Sequence, residues 1–348
     1  MTSIYFLNLS QKHTGLTNQL NSIMSTICKC LYKEQIIVID KFLKEIHTDN
    51  YLPISDVINL EKTNKFLEKY NIAIVDGCFT NNLNIISAKY CCDGIFTDVT
   101  EKVKVFLNNN TFIMSNNVNI NNLFENCNNS KKILKIDFIL NNYNKFSLSF
   151  SEKNGFLTKN IEIDFSNKNY IMAPSWDFID SLEFKHTTND IYNNIIFSDI
   201  FIYQSNNFIN KINITNNCNV NIIHLRLEQD AIDFWSEPNK MTRDNFKIKL
   251  SEKYINLITK LINKNDKSII LTYNTDNIVI NYLKNNNYNY YVDEKTKNNN
   301  RELNAIIDMY NSKHCNNIFI AVGGSTFSWT IAKIIKPKHI EWIDINNI

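Results

Sequence analysis

Residues 3–40 of the chain read SIYFLNLSQKHTGLTNQLNSIMSTICKCLYKEQIIVID. An apolar run opens this segment, a polar stretch with one glycine follows, and apolar residues then recur with the spacing of a helix. The helical positions are Leu20, Ile23, Ile27 and Leu31. Residues 34–40 form a short, mostly apolar run that is typical of a strand buried in a parallel sheet. The order strand, loop, helix, strand predicts a Rossmann-type βαβ unit.

The second half of the chain repeats this alternation. Its strand-like runs occupy residues 219–230, 268–276, 289–293, 317–324 and 339–345. Its helical patterns occupy residues 242–262, 278–286, 301–314 and 325–335. Such alternation predicts a parallel sheet covered by helices on both faces.

The middle of the chain is harder to order. Residues 41–190 alternate strand-like runs with asparagine-rich loops, and residues 198–212 have the pattern of a helix. We predict an α/β fold with two Rossmann-like domains, an N-terminal domain of residues 1–215 and a C-terminal domain of residues 216–348.

Composition excludes several classes of protein. The chain has 348 residues, of which 44% are apolar, so two domains are expected. Its net charge is only +2, which disfavours a nucleic-acid-binding or membrane-surface protein. No apolar run approaches the roughly 18 residues of a membrane span. The N-terminus lacks a signal-peptide pattern, and the eight cysteines show no CxxC spacing. We expect a cytoplasmic protein with free thiols.

The composition is biased: the chain has 60 asparagines, whereas arginine and glycine are rare. There are 34 lysines but only three arginines, namely Arg226, Arg243 and Arg301. Because lysine serves elsewhere, a retained arginine suggests a need for the planar guanidinium fork. Three of the six glycines, Gly15, Gly323 and Gly324, follow predicted strands. Ligands of open α/β sheets bind beyond the carboxyl ends of strands, so these segments are candidate binding loops.

The first candidate loop is residues 13–20, HTGLTNQL, between a strand and a helix. Gly15 would allow close backbone approach, and the helix start offers free N–H groups. An ordinary turn with Asn18 near the helix cap is the alternative. The three-glycine fingerprint of dinucleotide-binding proteins is absent, which disfavours a nicotinamide or flavin cofactor.

The second candidate is residues 224–230, HLRLEQD. Alternation along a strand places His224, Arg226 and Glu228 on one side and two leucines on the other. Charges are costly in a buried sheet unless a ligand or partner neutralises them, which favours a binding site. A structural Arg–Glu pair is the alternative.

Two further candidates follow strands of the second half. Asp276 lies in a turn before a helix, where capping the helix explains it as well as ligand binding does. Residues 323–328, GGSTFS, join a strand to a helix and provide backbone and hydroxyl donors for a phosphate. The segment lacks the lysine of a P-loop, and a plain helix cap with a tight turn is its alternative.

Together these segments suit a diphosphate-linked donor held in a cleft between two Rossmann-like domains. The chain has no Asp-x-Asp motif, so a metal clamp on the diphosphate lacks its usual carboxylates. Arg226 would then neutralise the charge of the departing phosphate.

Three segments resemble fucosyltransferases. Residues 14–20 resemble the GGLGNQ-type loop of these enzymes, and His224-Leu225-Arg226 is similar to the HLR motif of the protein O-fucosyltransferase-like superfamily. Residues 301–308, 319–320 and 324–328 resemble its donor-site region. The resemblance covers about residues 4–24 and 219–335. It implies a GT-B fold with two Rossmann-like domains facing a cleft, and a metal-independent, inverting glycosyltransferase that uses GDP-fucose.

The resemblance also implies roles for single residues. Arg226 would contact the β-phosphate and stabilise the leaving group, and Ser325, Thr326 and Phe327 would hold the diphosphate at the helix start. Gly324, in the same loop, is a further candidate for binding the GDP-sugar.

The resemblance also implies that His224 and Asp308 bind the guanine and that Asn18 faces the sugar and acceptor. Gly15 and Asp276, from their positions in loops after strands, are further candidates for binding the GDP-sugar. Thr14 and Thr17 stand where relatives often have glycine, and the first loop lacks Arg and Glu. The catalytic base stays open among Glu228, Asp230 and His13.

The sequence thus predicts transfer of fucose from GDP-fucose to a glycan or protein hydroxyl, with no cofactor, no nucleic acid and no membrane span. Another GDP-sugar stays open as the donor. Two alternatives stay open, a non-catalytic GDP-sugar-binding protein and a GT-B transferase that uses a UDP-sugar.

Overall fold

The structure is a computed structural model. It describes residues 3–9, 15–31, 35–39, 42–44, 51–77, 82–92, 95–108, 110–124, 132–141, 144–153, 155–165, 170–172, 185–215, 218–293 and 301–348. The chain divides into two compact units, Met1–Ser198 and Asp199–Ile348.

The first unit contains the βαβ arrangement that the opening sequence predicts. A parallel sheet has the strands β1 (Ser3–Asn8), β2 (Gln35–Ile39), β5 (Ile72–Asp76) and β14 (Tyr170–Met172). Their order is β14-β1-β2-β5. Helix α1 (Leu16–Cys30) connects β1 to β2, and its apolar side is buried through Leu20, Ile23 and Ile27. The remaining helices of the unit are α2 (Ile54–Val57), α3 (Leu60–Leu67), α4 (Thr100–Lys104), α5 (Ile120–Leu123) and α6 (Lys185–Asn194).

Antiparallel strands form the other sheets that the structure describes in the first unit. A five-stranded sheet in the order β12-β11-β10-β6-β7 is formed by β6 (Leu83–Cys92), β7 (Ile95–Asp98), β10 (Lys132–Leu140), β11 (Asn144–Lys153) and β12 (Phe156–Leu157). Smaller sheets are formed by β8 (Leu107–Asn108), β9 (Thr111–Met114) and β13 (Ile161–Asp164), and by β3 (Phe42–Lys44) with β4 (Tyr51–Leu52). Alternate residues of β10 are buried, and they join the parallel strands β2 and β5 in one hydrophobic core.

The second unit is a Rossmann-type layer structure. Its helices are α7 (Asp199–Lys211), α8 (Gln229–Ser236), α9 (Arg243–Leu261), α10 (Ile278–Asn285), α11 (Arg301–Ser312) and α12 (Thr326–Ile334). Its strands are β15 (Val220–His224), β16 (Lys267–Leu271), β17 (Tyr290–Val292), β18 (Ile318–Val322) and β19 (His339–Ile343). The strands are parallel in the order β17-β16-β15-β18-β19. This is the strand order 3-2-1-4-5 of a doubly wound sheet.

Burial explains why these segments form strands and helices. Every residue of β15 is buried, as expected for the central strand of a sheet covered on both faces. Helix α9 begins at a cap in which the Thr242 side chain accepts a hydrogen bond from the Asn245 N–H. Its buried side, with Phe246, Leu250, Tyr254 and Ile258 at intervals of four residues, packs into the core of the unit. Each such side chain contributes about 1.5–3 kcal/mol through burial.

The structure adds three details to the predicted fold. Helix α7 belongs to the second unit, where it packs against α11. Helix α8 occupies part of a segment in which the sequence indicated only the polar end of a strand. Cys28, Cys30, Cys91, Cys218 and Cys315 are free, but Cys92 is disulfide-bonded, so the expectation of free thiols is wrong at Cys92. No helix among the described residues is long and apolar enough to cross a membrane.

Candidate functional site

Two candidate loops of the second unit lie next to each other. Residues 224–230, here named the basic segment, follow β15, and residues 323–328, named the glycine cradle, follow β18. Because β15 and β18 are paired parallel neighbours, their carboxyl ends share one edge of the sheet. This is the edge at which open α/β sheets bind ligands.

The basic segment is fixed by burial on one side and by a tyrosine at its start. Leu225 and Leu227 are buried in the core, as the alternation predicted. The Arg226 N–H donates to Tyr254 Oη at 3.2 Å, and the Tyr254 hydroxyl donates to the His224 carbonyl at 2.6 Å. Tyr254 is fully buried, which raises the pKa of its phenol and keeps it a hydrogen-bond donor. The backbone that carries Arg226 is therefore held in place.

The Arg226 guanidinium lies between two carboxylates. Nη1 donates to Glu228 Oε2 at 2.9 Å, and Nη2 donates to Asp230 Oδ2 at 2.8 Å. Burial alone would lower the pKa of Arg226, but the charges of Glu228 and Asp230 outweigh burial and raise it. The Arg–Glu pair that the sequence left as an alternative is thus present, with Asp230 as a second partner. Glu228 Oε1 also accepts a hydrogen bond from the Tyr273 N–H at 3.4 Å.

A buried histidine connects the basic segment to the glycine cradle. His224 Nδ1 is 2.7 Å from Ser328 Oγ, and the rings of His224 and Phe327 meet edge to face with centroids 5.0 Å apart. His224 is only 5% exposed. The structure therefore brings His224, Phe327 and Ser328 together, as a shared site requires.

The glycine cradle forms the start of α12. Ser325 is the N-cap, and its hydroxyl accepts a hydrogen bond from the Ser328 N–H at 3.4 Å. Thr326 and Phe327 open the first turn, where backbone N–H groups and the helix dipole favour an anion. A Cβ atom at Gly324 would lie 2.5 Å from Ile345 Cδ1 and 3.2 Å from Trp235 Nε1, whereas at Gly323 it would make only ordinary contact. A side chain at position 324 would therefore require the end of the Ile345 side chain to move.

The two other predicted donor-site carboxylates are Asp276, which follows β16 at the same edge of the sheet, and Asp308 on α11. Asp276 is exposed in the loop after β16, and its N–H donates to Asn274 Oδ1 at 2.9 Å. The cap of α10 is Asn277, whose Oδ1 accepts from the Ile280 N–H, so the capping role considered for Asp276 is wrong. Asp308 is buried on α11.

The predicted loop of the first unit is described from Gly15 onward, and His13 and Thr14 lie outside the described residues. Gly15 occupies the N-cap position of α1, with Asn18 near the cap. Asn18 lies in the first turn, and its Oδ1 is buried without a hydrogen-bond partner in the part of the chain that the structure describes. The neighbouring Gln19, by contrast, has a structural role, because its Oε1 accepts a hydrogen bond from the Leu43 N–H at 3.1 Å. A buried acceptor without a partner is uncommon and suits a ligand hydroxyl.

Sequence reasoning missed one contact of this site. Arg301 Nη1 donates to Asp230 Oδ2 at 3.1 Å, so two of the three arginines of the chain meet at one carboxylate. The rarity of arginine marked both residues in the sequence, but it did not indicate that they share a carboxylate. Within the described ranges, no group of three or more His, Cys, Asp or Glu side chains is placed to hold a metal ion.

Comparisons with known proteins identify the fold. No family model matches the chain, and no curated protein matches it. A crystal structure of POFUT1 in complex with GDP shares 9% identity, covers 98% of this chain and 99% of its own, and has a TM-score of 0.50. A crystal structure of NodZ α-1,6-fucosyltransferase co-crystallised with GDP shares 11% identity, covers 96% and 93%, and has a TM-score of 0.50. The chain therefore has the mixed α/β fold of these GT-B fucosyltransferase structures, the fold class that the resemblance implied.

Proposed function

We propose that the protein is a metal-independent, inverting glycosyltransferase that transfers fucose from GDP-fucose to a hydroxyl group of a glycan or protein. One observation carries this proposal. The hydrogen bond between His224 and Ser328 joins the Arg226 segment to the anion-favouring start of α12, in a fold shared with fucosyltransferases that were crystallised with GDP.

The proposed reaction is an in-line displacement at the anomeric carbon of fucose. The acceptor hydroxyl oxygen forms the new glycosidic bond and gives its proton to a catalytic base, for which Glu228, Asp230 and His13 are the candidates. The bond between the anomeric carbon and the β-phosphate oxygen breaks, and its electron pair leaves with GDP. Negative charge then grows on the β-phosphate, and the Arg226 guanidinium stabilises it through charge-assisted hydrogen bonds. Gly324, Ser325, Thr326 and Phe327 would bind the diphosphate at the start of α12.

The other predicted residues complete the proposed donor and acceptor sites. His224, with Asp308, would bind the guanine, and Gly15 and Asp276 would line the donor site. Asn18 would offer its buried Oδ1 to a sugar or acceptor hydroxyl.

Glu228 is bound to Arg226 and to the Tyr273 N–H, which favours an orienting role in catalysis over proton removal. The cleft between two facing domains and the cytoplasmic location stay predictions. The disulfide bond at Cys92 counts against a cytoplasmic location, because disulfides are rare in reducing compartments.

A non-catalytic GDP-sugar-binding protein is the second candidate. Its support is the pairing of Arg226 with two carboxylates, which neutralises the guanidinium without any ligand. Thermal-shift measurements with GDP, UDP and their sugars separate the candidate donors, because a ligand of the native state raises its melting temperature. GDP binding without transfer or hydrolysis across a panel of acceptors would favour the non-catalytic candidate.

The decisive variant is Arg226→Ala, assayed by transfer from GDP-fucose. Loss of a preorganised charge contact in a transition state typically lowers turnover by about 10²–10³-fold. Arg243→Ala is the matched control, because Arg243 is paired with Asp233 at 2.7 Å and is 65% exposed. We expect the control to retain full turnover and EDTA to leave activity intact. Near-normal transfer by Arg226→Ala would reject the assignment.

A further inference from the structure

Asp230 is the meeting point of two guanidinium groups. Its Oδ2 atom accepts hydrogen bonds from Arg226 Nη2 at 2.8 Å and from Arg301 Nη1 at 3.1 Å. Because both donors bind the same oxygen, the two nitrogens lie within about 6 Å of each other. Arg301 is the first residue of α11, 71 positions from Asp230 in the chain, so the fold rather than local sequence creates this juxtaposition.

The shared carboxylate leaves most of the guanidinium donors unused. A guanidinium has five N–H donors. Among the described residues, Arg226 uses one nitrogen for Glu228 and one for Asp230, and Arg301 uses one for Asp230. Arg226 is 19% exposed and Arg301 is 32% exposed, so further donors of both side chains can reach a ligand. The guanidinium fork matches the oxygens of phosphate groups.

The charges of the cluster favour a second cation. Glu228 and Asp230 together balance Arg226 and Arg301, so without Arg301 the cluster would carry a net negative charge and would repel a diphosphate. If Asp230, which is half-exposed, needed only a positive charge to form an ion pair, a lysine would serve, and the chain has 34 lysines. Arg301 instead provides a planar guanidinium, in which one nitrogen binds the Asp230 carboxylate and the remaining N–H groups can donate to a phosphate.

From this geometry we propose that Arg301 is a second phosphate-binding residue of the donor site. Asp230 orients Arg301 and Arg226 so that one diphosphate contacts both guanidiniums. The inference rests on the proposed function, since it names a further residue for the same donor.

The test is calorimetric titration of the full chain with GDP and with GMP. Arg301→Gln is expected to weaken GDP binding about 10-fold or more, because a charge-assisted contact to phosphate is lost. GMP, which lacks the second phosphate, should lose less affinity, so the preference for GDP over GMP should shrink. Arg301→Lys keeps the charge and should fall between the wild type and Arg301→Gln.

The control is Arg243→Gln. Arg243, on α9, pairs with Asp233, which lies on the same helix α8 as Asp230, so this variant removes an equal charge from a neighbouring ion pair. Its GDP affinity should stay within about twofold of the wild type. An Arg301→Gln variant with unchanged GDP affinity would overturn the inference and leave the proposed function standing. Equal losses for GDP and GMP would also overturn it, because they would indicate a structural role.

The wild-type result separates the two proposals. If the wild type does not bind GDP, the proposed function fails, and the same variants are titrated with UDP and inorganic pyrophosphate. Binding of either probe with a loss in Arg301→Gln supports the phosphate role of Arg301. Failure of the wild type to bind any of the three overturns both proposals.

Discussion

The basic segment and the glycine cradle lie side by side at one sheet edge but are stabilised in different ways. The basic segment contains a guanidinium between two carboxylates, fixed by a buried tyrosine. The glycine cradle carries no charged side chain and is shaped by a serine cap and by close packing at Gly324. Charge is thus concentrated in one half of the site and backbone geometry in the other. We therefore expect variants of the two halves to fail in different ways.

The largest stability effect should come from Tyr254→Phe in the basic segment. The hydroxyl of Tyr254 serves both the Arg226 N–H and the His224 carbonyl, and its loss leaves two backbone groups unpaired near the core. A buried group without a partner costs about 1–3 kcal/mol. We expect the free energy of unfolding, measured with urea, to fall by about 2 kcal/mol or more.

Tyr282→Phe is the control for this variant, because its hydroxyl contacts two side-chain hydroxyls, that of Thr259 at 2.8 Å in an exposed position and that of Tyr288. Its unfolding free energy should change by less than about 0.5 kcal/mol, as at most surface sites. Equal changes in the two variants would show that Tyr254 does not hold the basic segment.

A smaller effect should separate the two glycines of the cradle. Gly324→Ala places a methyl group against Ile345 and the indole of Trp235, and overpacking of this kind costs about 1–3 kcal/mol. We expect the lower end of that range because the end of the Ile345 side chain can move. Gly323→Ala meets no close neighbour and should stay within about 0.5 kcal/mol. Thermal melts of both variants check this, and a greater loss in Gly323→Ala would contradict it.

The smallest effect should be a pH dependence confined to the basic segment. Burial alone would raise the pKa of Asp230, but Arg226 and Arg301 outweigh it and hold the pKa below its usual value. Such a carboxylate stabilises the fold above its unfolded pKa of about 3.9, and this stabilisation disappears as the pH falls through the lower folded pKa.

Asp230→Asn should therefore be less stable than the wild type at pH 6, and the difference should narrow below about pH 4. Urea unfolding at several pH values measures this difference. Ser325→Ala, in the uncharged cradle, should show a difference that does not depend on pH. A constant gap for Asp230→Asn would mean that its ion pairs do not contribute.

The fold could be predicted best where contacts are local. Helices α9, α10, α11 and α12 follow from their apolar spacing, and the buried strands between them follow from short apolar runs. The antiparallel sheet of the first unit was not predicted, because pairing β10 with both β6 and β11 depends on register between distant residues.

The candidate site shows the same limit. The sequence indicated His224, Arg226 and Ser325 from segments at strand ends, and the structure links the first of them to Ser328 of the cradle. The sequence could not indicate that Arg301 would reach Asp230, because the two residues are 71 positions apart and only the fold brings α8 and α11 together. Nor could it distinguish Asp276 from Asn277 as the cap of α10, since both residue types cap helices well.

A crystal structure of the protein with GDP tests the central claim most directly. We predict a β-phosphate within hydrogen-bond distance of the Arg226 guanidinium, with the diphosphate at the first turn of α12 beside Ser325. A nucleotide bound elsewhere, with Arg226 contacting only Glu228 and Asp230, would contradict the account.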